Sequence, residues 1–511
     1  MRNTFKPLGI ATAVAAATAG YANVASAQVV ANNALGDLAL VPYYTTLDNW
    51  VTGIHIVNTS DQTQVVKFRF RRATDSLDAL DFNVVMSPQD VYAGFISDDD
   101  GTIAWQANDT TCTVPAAADG KLTMPDIYRE DAETGYVEII AMGAADDEQP
   151  IYGAAKHKAG TPVDCAAVRS NFFADGDDTV GSEARGVVNN STTYQVGTED
   201  VSETGPNTYT NSGNALKVSY FIRDNDSGIE FGDNAVHIQD FLDFPQISNQ
   251  QYGYLSGDLD GFDFPDLDGG VPTAGSEAER GKFVSLRSGN VLGVANLINE
   301  WTANTANGAA LDWVVTMPGQ YTMFDIPDYI AALDDEDEDC DRGTGTAVGC
   351  DNRDIPVEAT ISPYNREELA PTDPEGDLVV SPSPPGSVAR LALAKEVNVI
   401  SFGGNSVLGV TDVDVSADLE QPFGWLSLSV DPAETYLGGT SAVCNWETGN
   451  EIDGSGYSAA AGAELEMTCA STGVTGTNVP MIGFAAWARQ VAANPDASYG
   501  RIVAHSFTSA N

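Results

Sequence analysis

Apolar residues in this chain recur at every second position in short runs, not at the three- and four-residue spacing of helices. The stretch QVVKFRFRR, residues 64–72, puts Val66, Phe68 and Phe70 in one phase and Lys67, Arg69 and Arg71 in the other. Side chains alternate across a strand, so it reads as a strand with a core-facing apolar side and an outward basic side. NWVTGIHIVN, FNVVM, GYVEIIAM, ALKVSYFI, KFVSL, LDWVVTM, VNVISF, GWLSLSV and MIGFAAWAR are also short and rich in β-branched and aromatic residues, with Gly, Asn, Asp and Pro at their bounds. Such runs read as strands. EVNVISFGGNSVLGV reads as a hairpin turning at Gly-Gly-Asn. Many sequential short strands with little helix predict an all-β antiparallel β-sandwich, immunoglobulin-like or related, with long acidic loops.

The runs are unevenly spread. Residues 172–214 are polar and small, and residues 331–385 hold an acidic run, a cysteine loop and the segment SPSPP. The expected organisation is a signal peptide at 1–27, an N-terminal β-rich region at 28–330, an insertion or linker at 331–385 and a C-terminal β-rich region at 386–511. The two β-rich regions could also close into one unit. The leader carries Arg2 and Lys6, then an alanine-rich apolar run, then Ala25-Ser26-Ala27. That is the pattern of a secretory signal peptide. No later run reaches the roughly 18 apolar residues of a membrane span, so no transmembrane segment is expected in the mature chain. The protein reads as exported, to the cell surface or beyond, with the outer face of a Gram-negative bacterium as its expected place.

Charge sharpens this picture. The chain has 24 Lys plus Arg against 73 Asp plus Glu, a formal net charge of −49. Such a field repels nucleic acid and anionic lipid and attracts cations. Nucleic acid is therefore excluded as a partner. Self-association or other cell-surface components are the expected partners. The six cysteines, Cys112, Cys165, Cys340, Cys350, Cys444 and Cys469, read as disulfides in an exported chain. Sequence neighbours suggest 112–165, 340–350 and 444–469, and no Cys/His spacing for zinc or haem is present.

The blocks LVPYYTT (40–46), IVNTSD (56–61), DFNVVMSPQDV (81–91), NLINEW (296–301), DWVVTMP (312–318), FGWLSLSV (423–430) and VPMIGFAAW (479–487) together resemble a set of exported proteobacterial "cell surface proteins". The resemblance runs in order over most of the chain. It implies a surface location and supplies no catalytic residues.

Calcium is the one cofactor the residues suggest, because it takes six to eight oxygens from carboxylates and carbonyls on a flexible loop. The candidate ligands are Asp224, Asp226 and Glu230 in RDNDSGIE, and Asp258 and Asp260 in GDLDG. The run Asp334 to Asp341 reads as a solvated loop, with weak cation binding as its alternative. Catalytic patterns are thin. Gly-Gly-Asn-Ser around Ser406 lacks the closing glycine of a nucleophile elbow, and His55 reads as a satisfied sheet histidine. The tryptophans Trp50, Trp105, Trp301, Trp313, Trp425 and Trp487 sit in or beside strands and read as core, with sugar stacking as the alternative.

The basic group Lys67, Arg69, Arg71 and Arg72 is a candidate interaction site. Asp75, Asp78 and Asp81 follow closely, so an intramolecular ion-pair ladder competes with a docking strip for an acidic patch on a second copy. The function these features support is a non-enzymatic structural or interaction protein of the bacterial surface, such as a surface-layer, matrix or filament subunit, stabilised by calcium. A calcium-dependent carbohydrate-binding or adhesin module is the first alternative and a secreted hydrolase the second.

Overall fold

The computed structural model describes residues 28–74, 76, 78–172, 193–196, 207–242, 245, 247, 267, 291–303, 308–319, 356–365, 390–403, 406–415, 423–430, 442–448, 465–471, 479–491 and 497–509. The leader, KFVSL, Asp75, Asp258, Asp260, Cys340 and Cys350 lie outside these residues. Nearly all of the described regular structure is β, with two short α-helices, Pro150–Ala155 and Cys165–Ser170. The strands form antiparallel sheets stacked in sandwiches, as the alternation predicts. Among the described residues, none of the sheets closes into a barrel.

The first sheet has nine strands. Its centre is formed by Leu38–Thr45, Thr134–Ala145, Thr63–Arg72 and Asp78–Met86. The second has six and is built around Leu216–Asp224, Trp50–Asn58 and Val91–Asp98. Between them lies a core that includes Val66, Phe68, Phe70, Phe82, Trp105, Ile54 and Ile56. Phe68 stacks on Phe82 with ring centroids 4.9 Å apart.

A second pair of sheets follows. The third joins Arg390–Leu393, Val357–Asn365, Phe423–Val430 and Gly293–Thr302, with Val479–Pro480 and Ser506–Ser509 at its far side. The fourth joins Val413–Asp414, Val397–Ser401, Ala309–Thr316, Ile482–Arg489 and Tyr499–Ala504. Leu297, Trp301, Trp313, Leu426, Leu428 and Ala485 pack between these two sheets. Strands from before and after the acidic 331–355 stretch thus pair side by side, and Val357–Asn365 is itself a strand.

The central strands of the fourth sheet are buried on both faces. Its alternate residues Phe484, Ala486 and Ala488, with Val314, Val397 and Val399, enter the same core as Phe68 and Ile54. Tyr220 and Phe484 rings meet at 6.2 Å. Val397 N–H donates to Ala73 O at 3.1 Å, and Thr316 Oγ1 donates to Pro42 O.

One local expectation changes. Val397–Ser401 does not fold back as a hairpin. It pairs in parallel with Val413–Asp414, because the connecting loop is held elsewhere. Asp312 Oδ2 accepts from Val407 N–H at 2.7 Å and Leu408 N–H at 2.9 Å, and lies 2.8 Å from Ser406 Oγ. A buried carboxylate offers that loop stronger acceptors than a hairpin ladder would.

Candidate functional site

The basic strand alternates as its sequence dictates, but its charged side does not face water. Lys67, Arg69 and Arg71 are all buried. The outward basic face, and the docking strip it would have offered, are therefore corrected. Antiparallel sheets often solvate one face, whereas here both faces are covered. The two helices pack beside Val65, Val85 and Met142 at one end, and Phe241, Leu242 and Leu267 pack beside Leu38 and Ile140 at the other.

The intramolecular ladder is what forms. Arg69 stands in register with Asp81 on one neighbouring strand and Glu138 on the other. Arg69 Nε lies 2.7 Å from Asp78 Oδ2, and Nη1 lies 3.5 Å from Glu138 Oε2. Lys67 Nζ lies 2.5 Å from Asp81 Oδ2, and Arg71 Nε lies 3.3 Å from Glu138 Oε1. Burial lowers the Lys67 ammonium pKa, and Asp81 opposes that shift. Tyr136 Oη lies 3.1 Å from Glu138 and 3.3 Å from Glu396, whose carboxylate also accepts from Gly319 N–H at 2.6 Å. The cluster thereby reaches from the first sheet to the fourth. Arg72, at its end, donates to Glu130 O at 2.7 Å.

The calcium candidates take different places. Asp224 closes the turn after its strand, accepting from Asp226 N–H at 2.9 Å and Ser227 N–H at 3.1 Å. Asp226 accepts from Asn49 Nδ2 at 2.8 Å, and Glu230 lies 3.9 Å from Arg223. Gly228 supplies the positive φ of 71° that this turn requires. Among the described residues no group of three or more His, Cys, Asp or Glu side chains is placed to hold a metal ion.

Cys112 and Cys165 form a disulfide that ties the second helix to the edge of the first sheet. Cys444 and Cys469 are cross-strand partners in the backbone register of Ala442–Thr448 and Leu465–Ser471.

Two of the histidines serve local structure. His237 accepts from Val218 N–H and faces Ala235 O. His505 sits between Asn299 Nδ2 and Val314 O, both at 2.9 Å. Burial lowers each of these two to about 4. His55 is exposed on its strand, not satisfied within the sheet. Ser87, His157 and Asp90 do come together, but Ser87 Oγ at 3.2 Å and Asp90 Oδ2 at 3.6 Å both face the same Nδ1. A serine relay needs the two partners on opposite ring nitrogens. Asp90 instead accepts from Ser87 N–H and Val91 N–H, and so closes the turn between two strands.

A surface feature on the third and fourth sheets combines aromatic and charged groups. Trp425 is cross-strand partner to Tyr364 on one side and Glu300 on the other. Glu300 pairs with Arg501, and Arg501 is cross-strand partner to Trp487. Tyr364, Trp425, Glu300, Arg501 and Trp487 thus form one ribbon running from sheet to sheet. The Tyr364 and Trp425 rings stack at 4.1 Å and 9°. The Arg501 guanidinium lies 5.1 Å over the Trp487 ring, which meets Tyr499 at 5.4 Å. Trp425 is 40% exposed and Tyr499 47%.

Beside the ribbon opens a cleft of about 540 Å³, lined in part by Glu300, Trp301, Thr302, Phe423, Trp487 and Arg489. Gly424 makes its floor possible. A Cβ there would lie 1.9 Å from Tyr364 O and 3.1 Å from Trp301 Nε1. The sequence did carry a signal for Trp425. In FGWLSLSV the tryptophan shares its phase with Ser427 and Ser429, opposite Leu426 and Leu428. The partners Glu300 and Arg501 are 201 residues apart and gave none.

The chain matches no protein-family model, no curated protein and no solved structure. Among the described residues, no helix is long and apolar enough to cross a membrane.

Proposed function

We propose that this is an exported, non-enzymatic structural or interaction protein of the bacterial cell surface, a subunit of a layer, matrix or filament. The observation that carries the reading is the exposed aromatic and ionic ribbon from Tyr364 to Trp487. Large aromatic groups left in water on a rigid sheet mark a surface that meets something else. The rigid frame beneath it supports the same reading, because the charged cluster and the shared core join the sandwiches. The leader-like first 27 residues and the resemblance to cell surface proteins support the location. Calcium enters as a bridge between acidic loops, with Asp258 and Asp260 among its ligands, and a disulfide between Cys444 and Cys469 accords with their backbone register.

Cell fractionation and electron microscopy test the proposal. The protein is expected on the outer surface of intact cells, in an array or fibre, and to be released when divalent ions are chelated. Recovery from the medium alone, with no surface-held fraction, overturns it. Retention unchanged by chelation removes the calcium bridge.

A further inference from the structure

We infer that the ribbon and the adjoining Tyr499 bind an extended saccharide chain, with pyranose rings stacked on Trp425 and Tyr499 and hydroxyls taken by Glu300 and Arg501. This rests on the surface-interaction reading above and names its partner.

Three features of the surface point to sugar. A pyranose ring presents a C–H face, and the electron-rich face of an indole is its complement. Trp425 offers such a face while Tyr364 stacks against it in parallel. At the other end, Trp487 and Tyr499 form a second aromatic station. Between the stations, Glu300 supplies acceptors and Arg501 supplies donors, as the hydroxyls at a ring's edge require. Two stations separated by an ion pair suit a chain of sugars better than a single ring. The adjoining cleft lies within the roughly 300–1,000 Å³ of small-ligand sites.

The rest of the face favours a saccharide over a protein. On the outer side of the third sheet, Thr360 stands opposite Ser429 and Ser362 opposite Ser427. All four are partly exposed, while Ala359, Ile361, Leu426 and Leu428 fill the alternate, buried positions. The stacked aromatics therefore border a flat field of small hydroxyls. The centre of a protein–protein interface is depleted in serine, whereas a sugar chain can exchange hydrogen bonds along such a field.

Titration calorimetry and affinity electrophoresis of the full chain test the inference. The probes are hydroxyethyl cellulose, a soluble β-1,3-glucan, soluble starch and alginate. Saturable binding to at least one is expected, weakened ten-fold or more, about 1.4 kcal/mol, by Trp425→Ala and by Tyr499→Ala. The unfolding midpoint of each variant is measured beside its binding, and weakened binding at a temperature where the variant is fully folded separates lost contact from lost folding. Binding to none of the four, or binding that both substitutions leave intact, overturns the inference. So does self-association abolished by Trp425→Ala without saccharide binding, because the ribbon then meets a second copy. If Trp425→Ala strips the protein from cells and no polysaccharide binds, the saccharide falls and the surface reading stands. If the wild-type protein binds polysaccharide and is absent from cells, the surface reading falls alone.

Discussion

Arg69 and Glu138 face each other across neighbouring strands, Nη1 to Oε2 at 3.5 Å, and neither side chain has any solvent exposure. Two charges removed from water are tolerable only while each keeps its partners. Removing one strands the other. Glu138→Ala is therefore expected to destabilise by about 3–5 kcal/mol, read from denaturant unfolding. The exposed pair Lys121 and Asp99, 4.0 Å apart, is the control, and Lys121→Ala hardly moves the midpoint. Equal effects at the two sites would show that the buried cluster carries no special weight.

Asp312 predicts a slope in stability against pH. Burial pushes its carboxyl up from 3.8 to about 7, while its hydrogen bonds to Leu408, Ser406 and Val407 pull the other way. Between those values the folded protein holds a proton that the unfolded chain has released. Stability from this group therefore falls as pH rises through that window, by on the order of 4 kcal/mol in total. Asp312→Asn keeps an acceptor for the loop and is expected to flatten the slope between about pH 4 and 7. An unchanged slope would assign it to other groups, Asp37 first, which burial raises to about 6.

His237 and His505 work in the opposite direction. Each is held neutral by burial and lowered from 6.5 to about 4. Their contribution is complete above 6.5 and drains away as pH falls toward 4. A double His237→Gln, His505→Gln protein should start less stable at neutral pH and lose less on acidification. Thermal unfolding at pH 7 and pH 4.5 checks this.

The disulfide closes a loop with a sequence separation of 53. Chain-entropy arguments assign such a closure about 4 kcal/mol. Replacing Cys112 and Cys165 together by alanine should remove a substantial part of that, measured by chemical denaturation. Loss at the helix end of the first sheet should appear first in hydrogen exchange.

Gly424→Ala tests the close approach under the cleft. The added methyl meets a backbone carbonyl, Tyr364 O, which cannot swing aside as a side chain could. Overpacking of this kind costs about 1–3 kcal/mol. Trp301 and Trp425 fluorescence should shift with it. A fully stable variant with unshifted emission would show that the strands separate freely there.

Period-two patterning made the sandwich architecture legible, since strands such as Thr63–Arg72, Leu216–Asp224 and Phe423–Val430 carry their own alternation. The same patterning assigned the right phase to Lys67, Arg69 and Arg71 and the wrong environment. What covers the second face of a sheet depends on distant segments such as the helix Cys165–Ser170 and the pair Phe241 and Leu242, and no local pattern encodes them. Asp78 and Asp81 were foreseeable as partners because they lie one strand away. Glu138 was not, being 69 residues from Arg69. The hairpin expected after Ser401 failed for a similar reason, because its competitor, Asp312, lies 94 residues from Ser406.

The sharing of one core between distant strands has a consequence for how the protein comes into being. Phe484, Ala486 and Ala488 complete packing begun by Ile54 and Phe68. The first-made part of the chain therefore waits, with its apolar face unfinished, until Ile482–Arg489 has joined it. A copy cut short before residue 480 lacks part of the inner wall of the half that was made first.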